Sequence, residues 1–267
     1  MIIENLDFEN EIFWARITLM NFLNLNLVFF LFISCTHLDK NPFKTSAKLL
    51  PKYQENWDYT DIYGTYNLKR QIKFDPNRLA LKTELLSNKD EATEKNVTIS
   101  QLEKKKILPQ QSEYATWFDG AHYDSKIQVD FANSTITNTL NTPDKKWKGT
   151  KKFSLNRDKA YCFFSQIAEC IIIWNVFDRA MNQNDFEFPF TIIWDVYPFH
   201  TMQWNNVAEA IQSSATLSLE AIEEKFIQLK VETGEHIFFY NFDEKLSYSG
   251  FYWVAQGIRQ QNKRTRK

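Results

Sequence analysis

The run Lys230-Val231-Glu232-Thr233-Gly234-Glu235-His236-Ile237-Phe238-Phe239-Tyr240-Asn241-Phe242-Asp243 reads as two strands folded back on each other. Thr233-Gly234 supplies the turn, since glycine enters the left-handed backbone region without steric cost, and Asp243-Glu244-Lys245 opens the next one. Within the second strand, Phe238, Tyr240 and Phe242 share one face and Ile237 and Phe239 the other. A strand that is apolar on both faces must be covered on both. One face can pack on a helix; the other asks for a second layer, a partner or an apolar ligand.

Working outward, Phe188 to Val196, Phe199 to Val207, Ala215 to Leu219, Phe226 to Val231 and Leu246 to Val254 extend the meander. Upstream, from Tyr161 to about Met181, the residues Phe163, Phe164, Ile167, Cys170, Ile171, Trp174 and Phe177 recur at helical spacing without Gly or Pro, which predicts a helix. The β-forming run Ile171-Ile172-Ile173 leaves a buried strand over Cys170 to Val176 as the alternative. Further up, Tyr114 to Phe118, Tyr123 to Phe131 and Thr135 to Leu140 alternate around turns at Asp119-Gly120 and Asn133-Ser134, with one more strand over Trp147 to Leu155. Ile62 to Phe74 and Leu79 to Leu86 alternate too, whereas Ser87 to Gln111, with Lys104, Lys105 and Lys106 in a row, reads as a long exposed loop or an irregular edge. The pattern predicts a mainly β (α+β) chain: a curled antiparallel sheet or half-barrel with one packed helix, in a single domain over 58–258.

Composition agrees. The 267 residues are 43% hydrophobic and include 23 Phe, 11 Tyr and 8 Trp against only 6 Gly and 7 Pro. That favours strands packed through aromatic rings over disorder. The net charge of -1 argues against nucleic acid as a partner, because a phosphate backbone calls for a basic excess. A short basic tail, residues 259–267, reads as a solvated terminus.

At the other end, Leu27 to Ile33 is uninterruptedly apolar and stops at Ser34-Cys35. It is short for a membrane crossing, which takes about 20 apolar residues, and Asn21, Asn24 and Asn26 dilute its upstream flank. An export signal over residues 1–34 is the reading adopted, with a buried strand or an uncleaved anchor helix as the alternative. Glu4, Asp7, Glu9 and Glu11 put negative charge where a signal needs positive charge, which points to Met20 as the true start. Residues 35–57, with Pro42 and Pro51 and neither period, read as a tether.

Phe32-Ile33-Ser34-Cys35 resembles the lipobox of bacterial lipoproteins, though Phe32 stands where Leu is commoner. The resemblance implies cleavage before Cys35 and acylation of Cys35. Thr36 rather than Asp after that Cys implies the outer membrane, facing the periplasm. The order of signal, lipidated Cys, meander, interposed helix and closing hairpins, together with Lys230 to Asp243, is similar to periplasmic half-barrel lipoproteins of the LolA/LolB kind. That likeness covers architecture and about the last third of the chain, and it carries over no functional residue.

Candidate chemistry is sparse. Cys162 and Cys170, placed on one helix, would be about 12 Å apart at 1.5 Å per residue, beyond the roughly 4.4–6.8 Å between Cα atoms that a disulfide allows. Free buried thiols are expected, with a hairpin bridge as the alternative. Asp119, His122 and Asp124 form the most polar constellation; in a strand His122 and Asp124 share a face and could hold a metal or act as a general-base pair, although an Asp-Gly turn and a surface pair explain them as well. His37, His200 and His236 stand alone, and no phosphate loop, nucleophile elbow or zinc spacing is present. The expectation is a non-enzymatic lipoprotein held to the membrane by its lipid, without cofactor or metal, that binds an apolar ligand or an envelope protein. An assembly protein with a filled core is the alternative, and a hydrolase built on Asp119, His122 and Asp124 stands behind both.

Overall fold

Strand β1 (Lys52–Asp61) runs antiparallel to β2 (Gly64–Asp75), and the pair is joined by a turn in which the Asp61 carboxylate accepts from the backbone N–H of Tyr63 and Gly64. The computed structural model describes residues 52–87, 91–103, 106–118, 120–143, 148–156, 160–183, 185–196, 211–223 and 225–263. The signal, Cys35, Asp119, the strand expected over Phe199 to Val207 and the last four tail residues lie outside the described residues. After β2 come β3 (Arg78–Leu86), β4 (Ala92–Glu103), β5 (Lys106–Phe118), β6 (Ala121–Asp130), β7 (Thr135–Asn141) and β8 (Gly149–Ser154). The second half holds β9 (Tyr161–Phe163), a 3-10 turn (Phe164–Gln166), α1 (Ile167–Trp174) and α2 (Phe177–Asn182). Then follow β10 (Glu187–Ile193), β11 (Gln212–Ile222), β12 (Phe226–Thr233), β13 (His236–Asp243), β14 (Tyr248–Trp253) and β15 (Ile258–Asn262).

Among the described residues all fifteen strands belong to one sheet, in the order β8-β7-β6-β5-β4-β3-β2-β1-β15-β14-β13-β12-β11-β10-β9. The predicted curled antiparallel sheet with a packed helix is what forms, and among the described residues the one parallel pair is β9 with β10. Two meanders, β1 to β8 and β10 to β15, are spliced where β1 pairs with β15. The concave face of β1–β3 and β10–β15 wraps α1, and Trp57, Ile72, Leu79, Leu229, Phe238 and Phe242 are sealed beneath it with Ile167, Cys170 and Ile171. A smaller core of Ile127, Ile136, Leu140, Phe153, Phe163 and Ile193 closes β6–β8 over β9 and β10. Gln212 links the margins of the two meanders: its side chain accepts from the N–H of Asn156 at 3.0 Å and donates to the carbonyl of Ser154 at 2.5 Å. The two-sided apolar run covered on both faces is therefore β10, with Phe190 and Ile192 in the first core and Ile193 in the second. On β13 the inner residues Phe238, Tyr240 and Phe242 are buried, while Ile237 and Phe239 on the convex side are half-buried.

Four expectations need correction. Ser87 to Gln111 is mainly strand, since β4 and β5 pair over ten positions. Its inner face is polar (Asn96, Thr98, Ser100), so the alternation does not show as a hydrophobic one. The tether reading of 35–57 runs too far, because residues from Lys52 on lie in β1 and Trp57 is fully buried. The domain likewise extends past 258, as Arg259 belongs to β15, and Lys263 of the tail approaches Asp58 at 3.6 Å. Finally, Cys162 and Cys170 are disulfide-bonded, with their Cα atoms 6.4 Å apart. The continuous helix assumed from Tyr161 is in fact a strand, a tight turn and then a helix. Cys162 therefore sits on β9 and Cys170 on α1, and the chain doubles back far enough to join them.

Candidate functional site

Along β4 and β5 the inward positions are Glu94, Asn96, Thr98, Ser100, Ser112 and Tyr114. Buried polar groups need partners, because each one left unpaired costs roughly 1–3 kcal/mol. The segment around α1 supplies them. Asp195, just past β10, accepts from Asn96 Nδ2 at 2.8 Å, from the Ser165 backbone N–H at 3.0 Å and from Ser165 Oγ at 2.5 Å. Asn96 Oδ1 in turn accepts from Ser112 Oγ at 3.2 Å, and Ser100 Oγ donates to Gln166 Oε1 at 2.6 Å. Burial raises the Asp195 pKa, and the Ser165 and Asn96 bonds oppose that rise. With three donors on its two oxygens, Asp195 clamps the turn before α1 to β4.

A second charged element lies closer to the splice of the two meanders. Arg70 of β2 and Glu169 of α1 are both buried and pair at 2.8 Å. The guanidinium carbon lies 5.4 Å from the Trp57 ring centroid and 4.8 Å from that of Tyr248, so aromatic faces cradle the cation. Burial pulls the Arg70 pKa down, but Glu169, Tyr248 and Tyr53 outweigh it and hold the cation above its ordinary value. For Glu169 burial wins over Arg70 and raises the carboxyl. The pair uses one donor and one acceptor; Arg70 Nη1 and Glu169 Oε2 have no hydrogen-bond partner among the described residues.

Between the sheet and the start of α1 lies a cleft of about 80 Å³. Its apolar lining is Leu68, Leu85, Phe164, Val196 and Phe251, and its polar lining includes Arg70, Ser165, Tyr248 and Glu94. At roughly 10–15 Å³ of such space per water, this is room for several waters, a small head group or a chain end. Burial, reinforced by Asp61 and opposed by the neighbouring Tyr114 hydroxyl, pushes the Glu94 carboxyl up to about 7. The cleft wall is thus able to change charge near neutral pH.

The polar constellation picked out from sequence is placed elsewhere. His122 Nε2 and Asp124 Oδ1 do meet, at 3.1 Å, on the convex face of β6 with side chains 45% and 40% exposed. Trp117 stacks on His122 at 4.8 Å, Lys95 lies over the same indole, and Asp124 accepts from Asn141. The group is a cross-strand surface cluster on an open face and does not line the cleft; Asp119 lies outside the described residues. Among those residues no group of three potential metal ligands converges. The residues missed by sequence reading are Arg70, Glu94, Asn96, Ser165, Glu169 and Asp195. A signal for part of this set exists in the even spacing of Glu94, Asn96, Thr98 and Ser100, once β4 is recognised as a strand with a polar inner face.

No family model matches this chain, and no curated protein sequence matches it. Among solved structures, the chain is similar to a β-barrel-like protein of a domain of unknown function from Brucella abortus, at 8% identity and a TM-score of 0.45, over 81% of this chain and 96% of that one.

Proposed function

We propose that this chain is an exported, lipid-anchored envelope protein without catalytic activity of its own, which binds a small amphipathic ligand in the cleft at Arg70. The observation that carries the reading is the cleft's composition. The Arg70 guanidinium, buried with one unused hydrogen-bonding atom and backed by Glu169, lines the cleft beside an apolar wall of Leu68, Leu85, Phe164 and Phe251. A head group or chain end fits its volume; a whole lipid does not. Export and attachment rest on the apolar run ending at Cys35, and a position at the outer membrane facing the periplasm rests on Thr36 after it. Two or three acyl chains would make the attachment lasting, since each buried methylene contributes about 0.8 kcal/mol. Nucleic acid is not part of the proposal, given the balanced charge.

The test is native mass spectrometry and organic extraction of the domain purified from its own host. A bound small molecule is expected, and it should disappear from the double variant Arg70→Met/Glu169→Leu. A domain that emerges without ligand, and whose melting temperature does not respond to monoacyl amphiphiles, overturns the reading.

The filled core favours a second reading, an interaction protein, on one specific observation. Ile62 and Tyr63 are 78% and 83% exposed on a turn whose Tyr63 and Gly64 N–H groups are bonded to the Asp61 carboxylate. Under this reading the double variant Ile62→Ser/Tyr63→Ser loses a stoichiometric envelope partner in a pull-down while its own stability is unchanged.

A further inference from the structure

An amphipathic ligand has two ends, and the groups around Arg70 decide which of them enters the cleft. Arg70 lines the cleft and is only 3% exposed. Its Nη2 is spent on Glu169 at 2.8 Å, while Nη1 has no hydrogen-bond partner among the described residues. An apolar chain end packed against the guanidinium would leave that buried donor unpaired, which is costly. A ligand oxygen at the Arg70 end of the cleft can accept from it, so the polar end is the one that enters.

The charge on that polar end is limited by the carboxylates already in place. Glu169 of α1 neutralises the Arg70 cation, and Glu55 of β1 adds negative potential at both members of the pair. Glu55 is fixed where it stands, because its two oxygens accept from Trp57 Nε1 at 3.1 Å and from Asn262 Nδ2 at 3.0 Å. Tyr53 and Tyr248, the phenols that act on Arg70, are held in their neutral form by burial and bring no compensating charge. Glu94, beside Asp61 and Tyr114, puts a further carboxyl on the cleft wall, ionised above about 7. An anionic head group would add to this negative excess in surroundings that screen it poorly. An uncharged oxygen takes the spare N–H without adding to it.

We infer that the cleft takes its ligand head first and selects an uncharged acyl head group, whose ester carbonyl or hydroxyl oxygen accepts from Arg70, over a fatty-acid carboxylate or a phosphate monoester. This rests on the reading of the cleft as an amphiphile site and specifies which amphiphile it takes.

The probes are monodecanoylglycerol, decanoate and decyl phosphate, which share one tail length. Each is titrated into the purified protein by calorimetry below its micelle-forming concentration, at about pH 8, where a free carboxylic acid is fully ionised. The monoglyceride is expected to bind about ten-fold or more tighter than either anion. Glu169→Gln removes one negative charge yet keeps a side-chain oxygen to accept from Arg70, and it should narrow that gap to about three-fold or less. Thermal melting shows whether the variant is folded, and the comparison of probes on the wild type stands without it. Decanoate or decyl phosphate binding as tightly as the monoglyceride overturns the inference and leaves the amphiphile site standing. A folded Glu169→Gln protein with an unchanged preference overturns it too, because the carboxylates would then not set the selection. Binding of none of the three probes overturns the amphiphile site itself, and this inference with it.

Discussion

The inner wall of β1–β3 and β12–β14 and a stripe across the inner wall of β4–β7 belong to the same sheet, yet they are built from opposite chemistries. The first presents Trp57, Ile72, Leu81, Leu229, Phe238 and Phe242 to α1; the second presents Asn96, Thr98, Ser100, Ser112, Ser125 and Asn138. Apolar burial is tolerant, since many arrangements of similar volume exclude water equally well. A buried amide or carboxylate accepts few arrangements, because its partners must arrive at hydrogen-bonding distance. The contrast teaches that the apolar wall supplies most of the stabilisation while the polar wall fixes where the segment around α1 sits, and the cleft lies along the boundary between them.

The largest effect expected from breaking this division is at the charged pair. Glu169→Ala leaves the Arg70 cation buried without a counter-charge and should cost about 3–5 kcal/mol in denaturant unfolding. The double change Arg70→Met/Glu169→Leu should recover most of it. A double variant as unstable as the single one would mean the pair does more than neutralise itself. On the apolar wall, Phe238→Ala removes a fully buried ring that touches Phe164, Phe251 and Trp253, for an expected loss of about 3–5 kcal/mol.

Next in size is the bridge between strand and helix. Replacing Cys162 and Cys170 by Ala should lower stability by about 2–3 kcal/mol on the loop-closure estimate for a short loop, and the denatured, unreduced domain should yield no free thiol from either position. Asn96→Ala removes a donor from Asp195 and an acceptor from Ser112, for an expected cost of about 1–3 kcal/mol. The smallest and most specific effect is pH-dependent. The Glu94 carboxyl is raised in the folded state to about 7, so the native protein holds that proton more tightly than the unfolded chain. Its contribution to stability is present below the unfolded carboxyl range and is lost as pH rises toward about 7. Glu94→Gln should remove this component, so the wild type and variant stability curves should converge at low pH and separate as pH rises to neutrality.

The apolar half was legible because its chemistry and its period coincide: Phe238, Tyr240 and Phe242 announce both a strand and its buried face. The Asn133-Ser134 turn was legible for the same kind of reason, and Ser134 does adopt a positive φ of 50°. The polar half was not, since Asn96, Thr98 and Ser100 look like solvent-facing residues until Asp195, Gln166 and Ser112 are seen opposite them. Those partners lie up to 99 positions away in the chain, and no local spacing encodes the match. Glu169 was hidden in another way: a lone acid in the apolar run Ile167 to Trp174 reads as the helix's exposed side, and only Arg70 on β2 explains its burial. The reading of Cys162 and Cys170 went astray because one continuous helical period was extended across a strand and a tight turn.

The proposal that a lipid-anchored domain carries this cleft is tested most directly by the intact mass of the protein extracted from the membranes of its own host under native conditions. The expected species begins at Cys35, carries acyl chains on that residue, and shows a further non-covalent mass that is lost on denaturation. An unacylated chain that retains Leu27 and is recovered from the soluble fraction with no additional mass would contradict the account.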